Sequence, residues 1–211
     1  MNSKLGKGKK FITKGKWAGM PMFSLTLEER ATCPKTCLRW NECYGNTMPF
    51  AHRFTAGKEL ETKIAREVEI LSERYTRGFV IRLHILGDFY SFAYASFWAY
   101  QLVIHPELHI FGYTAHLSNS LIGKTLYQMN NNSIHNRCWI RFSQNKQYDP
   151  NHSNAIFAGD PTMVAGITCP EQTGKTESCL TCGLCWSTTK TINFIDHDAK
   201  NKAKRALARR E

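Results

Sequence analysis

The chain has 211 residues and a mass of 24.2 kDa, enough for one sizeable hydrophobic core, and its 42% hydrophobic and 21% charged residues exclude wholesale disorder and collagen- or mucin-like chains. A formal charge of +11 points to a polyanionic partner such as nucleic acid, yet residues 1–16 and 200–211 carry all of the excess and residues 17–199 sum to zero. No run approaches the roughly 18 consecutive apolar residues of a membrane span, so no membrane partner is expected.

In chain order, Lys4, Lys7, Lys9, Lys10, Lys14 and Lys16 come first, interleaved with glycine and without an acid, which reads as a flexible basic arm over residues 1–16. The arm is not an apolar leader, and the expected location is the cytoplasm. Phe11 and Trp17 can stack on bases or pack against the body. Residues 19–25 are apolar and predict a first strand running into a cysteine-bearing loop. Over residues 55–75, Leu60, Ile64, Val68, Leu71 and Tyr75 recur at helical steps among charged residues, one apolar stripe on a solvated helix. Gly78 stops that helix, and residues 79–86 predict a strand buried on both faces, ending in Gly87-Asp88-Phe89-Tyr90. Ser91 can cap a second helix through Ala95, Trp98 and Leu102 towards Pro106. A strand at 108–113, a helix at 119–129 and a strand at 138–142 continue the alternation. Weaker strands are expected at 155–158, 163–167 and 190–195, and the Asn- and His-rich residues 144–154 predict a loop.

Alternating strands and helices are the signature of a parallel sheet with right-handed crossovers. The expected fold is therefore α/β, an open parallel sheet or a partial (β/α) barrel. The chain divides into the arm at 1–16, an α/β core at 17–168, a cysteine-rich segment at 169–199 packed on that core, and a basic tail at 200–211.

Seven of the eight cysteines fall into two groups. The C-terminal group is Cys179-x2-Cys182-x2-Cys185, preceded by Cys169-Pro170. Thiols at steps of three residues wrap one corner of a cuboidal cluster, and a remote Cys-Pro is the usual fourth ligand, so the group reads as a 4Fe-4S site. Structural zinc is the rival, although two separated CxxC pairs are its more usual pattern. Gly183 suits a tight turn within the run. The N-terminal group is Cys33-x3-Cys37-x5-Cys43, followed by Tyr44 and Gly45. Three thiols without a local fourth can leave one iron open to an outside ligand; the alternatives are a structural metal site or one cluster shared by both groups. Cys138, alone in an apolar strand, reads as a small core residue. Gly87 allows close approach of a ligand and Asp88 can accept hydrogen bonds from a ligand amine or ribose, or it can cap the following helix. Gly112-Tyr113-Thr114-Ala115-His116 can add a ring and polar groups to the same rim.

Two resemblances follow from these residues. The order strand, three-Cys loop with a trailing aromatic, helix, strand, Gly-acid turn, helix, strand resembles the core of the radical S-adenosylmethionine enzymes. That resemblance implies Cys33, Cys37 and Cys43 as cluster ligands, Tyr44 as the neighbouring aromatic, Gly87 and Asp88 as the turn meeting the methionine amine, and a second cluster in the C-terminal extension. The last gap of the cysteine motif is five residues here rather than two, and the turn reads Leu-Gly-Asp rather than Gly-Gly-Glu. Residues 32–34 to 43–44, 82–89, 112–114 and 179–186 also resemble an uncharacterised family of phage proteins called gene product 88. This implies metal binding, a mobile-element origin and a host-cell cytoplasmic location, without an established activity.

Two functions are therefore expected. One is an iron–sulfur enzyme of radical S-adenosylmethionine type acting on nucleic acid or a nucleotide-like substrate. The other is a non-catalytic iron–sulfur or zinc protein that binds nucleic acid. In both, the basic ends add salt-dependent affinity for phosphates.

Overall fold

The computed structural model describes residues 5, 10–41, 43–131, 136–143, 153–156 and 166–195. The expected tail at 200–211, most of the expected loop at 144–154 and residues 163–165 of an expected strand lie outside them.

The core is a mixed α/β arrangement on a five-stranded sheet in the order β1-β2-β3-β4-β5. Its strands are β1 (Lys10–Phe11), β2 (Pro21–Ser24), β3 (Phe79–Leu83), β4 (Leu108–Thr114) and β5 (Cys138–Phe142). β1 is antiparallel to β2, and β2 through β5 are parallel. The helices between them are the one-turn α1 (Glu29–Thr32), then α2 (Lys58–Arg74), α3 (Phe92–Ile104) and α4 (Leu121–Asn131). Among the described residues, none of the helices is long and apolar enough to cross a membrane.

These elements form where their local chemistry directs. The apolar stripe of α2 is buried at Leu60, Ile64 and Val68. Ser91 caps α3 as expected, its hydroxyl accepting from Tyr94 N–H at 3.1 Å. Strand β3 is shorter than the apolar run suggests. After Leu83 the chain leaves the ladder, though Ile85 N–H still donates to Leu25 O at 2.9 Å and Leu27 N–H to Leu86 O at 2.9 Å.

The parallel strands lie in sequence order, so each crossover steps the same way and no reversal of strand order occurs, unlike in doubly wound sheets. One face of the sheet accordingly takes all three long helices: Phe79, Ile81, Leu83, Ile110 and Ile140 share a core with Ile64, Trp98, Leu102 and Leu126. Cys138 lies in that core, as its sequence context suggests.

Strand alternation turns the intervening residues to the opposite face. There Val80 and Phe111 pack with Ile12, Trp17, Cys185 and Trp186. The cover is built from both ends of the described chain. Residues 10–16, expected as part of a free arm, belong to the fold instead, because Ile12 and Trp17 are buried and β1 pairs with β2. Leu5 is buried too, with its N–H on Glu67 Oε2 at 3.0 Å. Trp17 stacks on Trp186 with centroids 5.4 Å apart and planes 9° from parallel. Lys16 lies over Trp139 at 4.3 Å from its ring centroid, and burial lowers its pKa to about 8.

The cysteine-rich cover contains β7 (Ile167–Thr168), α5 (Cys179–Cys182) and β8 (Ile192–Ile195). Strand β8 pairs in parallel with β7 and with β6 (Ser153–Ile156), giving a second, three-stranded sheet. The charged anchor between cover and main sheet is Arg141 of β5, which is fully buried. Its guanidinium donates to Cys185 O at 2.9 Å, to Lys190 O at 3.0 Å and to Thr188 O.

Replacing this anchor should loosen the cover. Arg141→Met strips the donor from three carbonyls; at roughly 1–3 kcal/mol for each group left unsatisfied, a loss of about 3 kcal/mol or more is expected. The denaturation midpoint measures it, and an unchanged midpoint would show that aromatic packing alone holds the cover.

Candidate functional site

The carboxyl ends of β2, β3 and β4 share one rim. The loop after β2 carries Cys33, Cys37, Cys43 and Tyr44, with Tyr44 opening a 3-10 turn over Tyr44–Thr47. Two arginines brace this loop. Arg53 uses all five guanidinium hydrogens: on Glu29 Oε2 and Oε1 at 2.7 and 3.1 Å, and on the carbonyls of Met48, Ala51 and Gly45 at 3.0, 2.9 and 3.0 Å. That ion pair is the main reason the Glu29 carboxyl is held below its usual pKa. Arg30 bonds Trp40 O and Asn46 Oδ1, the latter at 2.9 Å, and stands 5.1 Å from the Trp40 ring centroid.

The three thiols of this loop form one electrostatic group. Burial pushes the Cys33 thiol up, and the charges of Asp88, Cys37, Cys43 and Glu29 push it further. Burial likewise raises Cys37, and it pushes the half-buried Tyr44 phenol up to about 12. Burial thus outweighs the nearby Arg39 charge at Cys37, so Cys33 and Cys37 resist becoming thiolates, and a bound metal would reverse that preference.

The second group surrounds a cavity. Cys169, Cys179, Cys182 and Cys185 line one small pocket together with Pro170, Glu171 and Trp186. Cys169 follows β7 and is fixed by its N–H on Asn193 O at 2.8 Å. Cys179 and Cys182 are the first and last residues of the single turn α5, whose start is held by Ser178 N–H on Thr181 Oγ1 at 3.3 Å. Gly183 then reverses the chain at φ 72°, a left-handed conformation that suits glycine, and this brings Cys185 back towards the same space. Tyr113 Oη donates to Cys185 Sγ at 2.7 Å. Burial nevertheless pushes the Cys185 thiol up to about 12. Among the described residues no three His, Cys, Asp or Glu side chains converge as ligands of a single ion do.

The four thiols have the donor chemistry of an iron–sulfur cluster and of a zinc ion alike. They are the right donors, they share a cavity, and a hydroxyl already donates to one sulfur, a contact that tunes iron–sulfur centres. Zinc would need all four sulfurs about 2.3 Å from one point. The three-thiol loop also has the donor chemistry for a cluster.

The Gly87-Asp88 turn does not fit the cofactor-contacting role that the resemblance implies. Asp88 is 2% exposed, with Oδ1 accepting from Phe89 N–H at 2.7 Å and Thr114 Oγ1 at 2.9 Å, and Oδ2 from Ala115 N–H at 2.7 Å. Its own N–H donates to Thr32 Oγ1 at 3.2 Å. Gly87, at φ 87°, is walled in: a Cβ there would lie 2.6 Å from both Leu27 Cβ and Thr32 Oγ1. The turn stitches the loops after β2, β3 and β4 together, and it does not cap α3, whose cap is Ser91. His116, expected on the rim, donates from Nε2 to Phe89 O at 2.8 Å and reinforces the same stitch.

Sequence reasoning passed over Arg82 and Arg141, which sit inside β3 and β5, and the hydroxyl of Tyr113. The signal was available in Phe-Val-Ile-Arg-Leu of β3 and Cys-Trp-Ile-Arg-Phe of β5, where a lone arginine interrupts an otherwise buried strand. No family model, curated protein or solved structure matches the chain.

The stitch can be tested on Asp88. Asp88→Asn keeps the shape but loses the charge and turns one acceptor into a donor among three donors. A loss of about 1–3 kcal/mol in unfolding free energy is expected, and full stability in the variant would sink the assignment.

Proposed function

We propose that the protein is an iron–sulfur protein with two centres, one held by Cys169, Cys179, Cys182 and Cys185 and one by Cys33, Cys37 and Cys43. The observation that carries this reading is the cavity lined by four thiols from two separate stretches of chain, closed against the main sheet by Trp186 and Arg141. The alternative of one cluster shared by both groups is disfavoured because each group has its own backbone scaffold, α5 with its Gly183 turn for one and the Arg53-braced loop for the other. A 4Fe-4S cluster supplies one-electron transfer, and with three protein thiols it also leaves one iron free for an outside ligand.

The residues divide the work accordingly. Cys169, Cys179, Cys182 and Cys185 make the shielded centre, where Tyr113 directs a hydrogen bond at sulfur and Trp186 excludes water. Cys33, Cys37 and Cys43, with Tyr44 beside them, make the reactive centre at the carboxyl ends of parallel strands, where ligands of α/β proteins bind. A radical reaction on nucleic acid or a nucleotide-like substrate would take place at this rim. An S-adenosylmethionine amine would have to be held there by a group other than Asp88. The resemblance to phage proteins agrees with metal binding and adds no activity.

Anaerobically purified protein should contain about eight irons per chain with matching acid-labile sulfide. About four would leave a single centre, and zinc without sulfide would remove the reading.

The second reading, a metal-shaped protein that binds nucleic acid without catalysis, is favoured by the placement of the whole net charge at the chain ends. Since Leu5 is part of the core, the basic end is best neutralised rather than cut. Lys4, Lys7 and Lys9 replaced by Gln, with residues 200–211 removed, should weaken DNA and RNA binding and flatten its salt dependence. Unchanged affinity across salt would dismiss the role of the ends.

A further inference from the structure

Arg82 sits on β3, where strand alternation turns it to the cysteine-covered face, in the same row as Val80. It pairs across the ladder with Ser24 on one side and Phe111 on the other, and Tyr113 and Arg141 face each other one strand further on. The electrostatic neighbours of its guanidinium are Cys179, Tyr44, Tyr113 and Cys185. Cys179 and Cys185 belong to the four-thiol group, and Tyr44 directly follows Cys43 of the three-thiol group, so the cation stands beside one group and next to the residue that adjoins the other. Its Nε is buried and has no hydrogen-bond partner. The contrast with Arg141 is informative. That arginine, on the next strand but one, gives its hydrogens to three backbone carbonyls and anchors the fold. Arg82 makes no comparable backbone clasp, and a buried donor without an acceptor is costly. An anion between the two groups would satisfy it, and thiolate-bound clusters are anions.

We propose that Arg82 is the shared positioning cation of the two cysteine centres, offsetting the negative charge of both and linking the reduction of one to the state of the other. The proposal rests on the iron–sulfur reading. It also assigns a role to the charge between the two centres: like charges on either side of Arg82 repel less through an intervening guanidinium. Removing the charge disfavours the more negative, reduced state of each centre.

The test is a redox titration followed by electron paramagnetic resonance on the full chain, with iron and sulfide counted on every sample. In Arg82→Met, the reduction equilibrium of both centres is expected to fall at least tenfold, about 59 mV for a one-electron step. Arg82→Lys, which keeps the charge and loses the planar fork, should recover most of that shift. Wild-type protein without sulfide defeats the iron–sulfur reading itself. Clusters present but unmoved by Arg82→Met, or a shift confined to one centre, overturns the proposal alone. So does the loss of folded structure by circular dichroism in both variants, because Arg82 would then be a residue of the fold and not of the centres.

Discussion

The architecture turns on one topological constraint. Parallel strands laid down in sequence order send every crossover to the same side, so the long helices can cover only one face of the sheet. The other face carries Val80, Phe111 and Trp139 and is too apolar to be left in water. The cysteine-rich segment is what covers it. Trp186 supplies the apolar weight of that cover, and Arg141 fixes its position by turning a buried charge onto three carbonyls. The same act of covering brings four thiols against the sheet. Here the site and the second half of the hydrophobic core are one piece of structure.

A buried collection of thiols is electrostatically awkward. Desolvation disfavours thiolates at Cys33, Cys37, Cys179 and Cys185, and neighbouring sulfurs and carboxylates make matters worse. Such groups are stable as neutral thiols, and an ion-pairing partner or a bound cation would be needed to hold them as thiolates. Around them the loops are held by fixed polar contacts and not by apolar packing alone. Glu29 with Arg53, Arg30 with Trp40 and Asn46, and Asp88 with Thr114 and Ala115 each lock a loop at the rim.

Much of the fold was legible in the sequence because periodicity reports burial directly. The stripe Leu60, Ile64, Val68 announced α2, and the Ser91 cap announced α3. The roles of particular polar residues were less legible. Asp88 in a Gly-acid turn has the same sequence whether its carboxylate faces a ligand or its own neighbours; only the tertiary approach of Thr114 and Ala115 decides. The lysines at 10, 14 and 16 looked like a solvated arm, since charge pattern alone does not show that Ile12 and Trp17 between and beside them are buried. Conversely, the arginines of β3 and β5 occupy equivalent places in their strands, and what separates their roles is which partners the cover brings to each.

The stack of Trp17 on Trp186, together with Thr13 N–H on Leu180 O at 3.0 Å, joins positions about as far apart in sequence as the described chain allows. Contacts of such separation close after local ones, because the loop entropy must be met first. During synthesis the helices and parallel strands can therefore pair while this lid is still missing. The second face of the main sheet is thus the late one to close, by a segment that reaches back along the chain to meet Thr13 and Trp17.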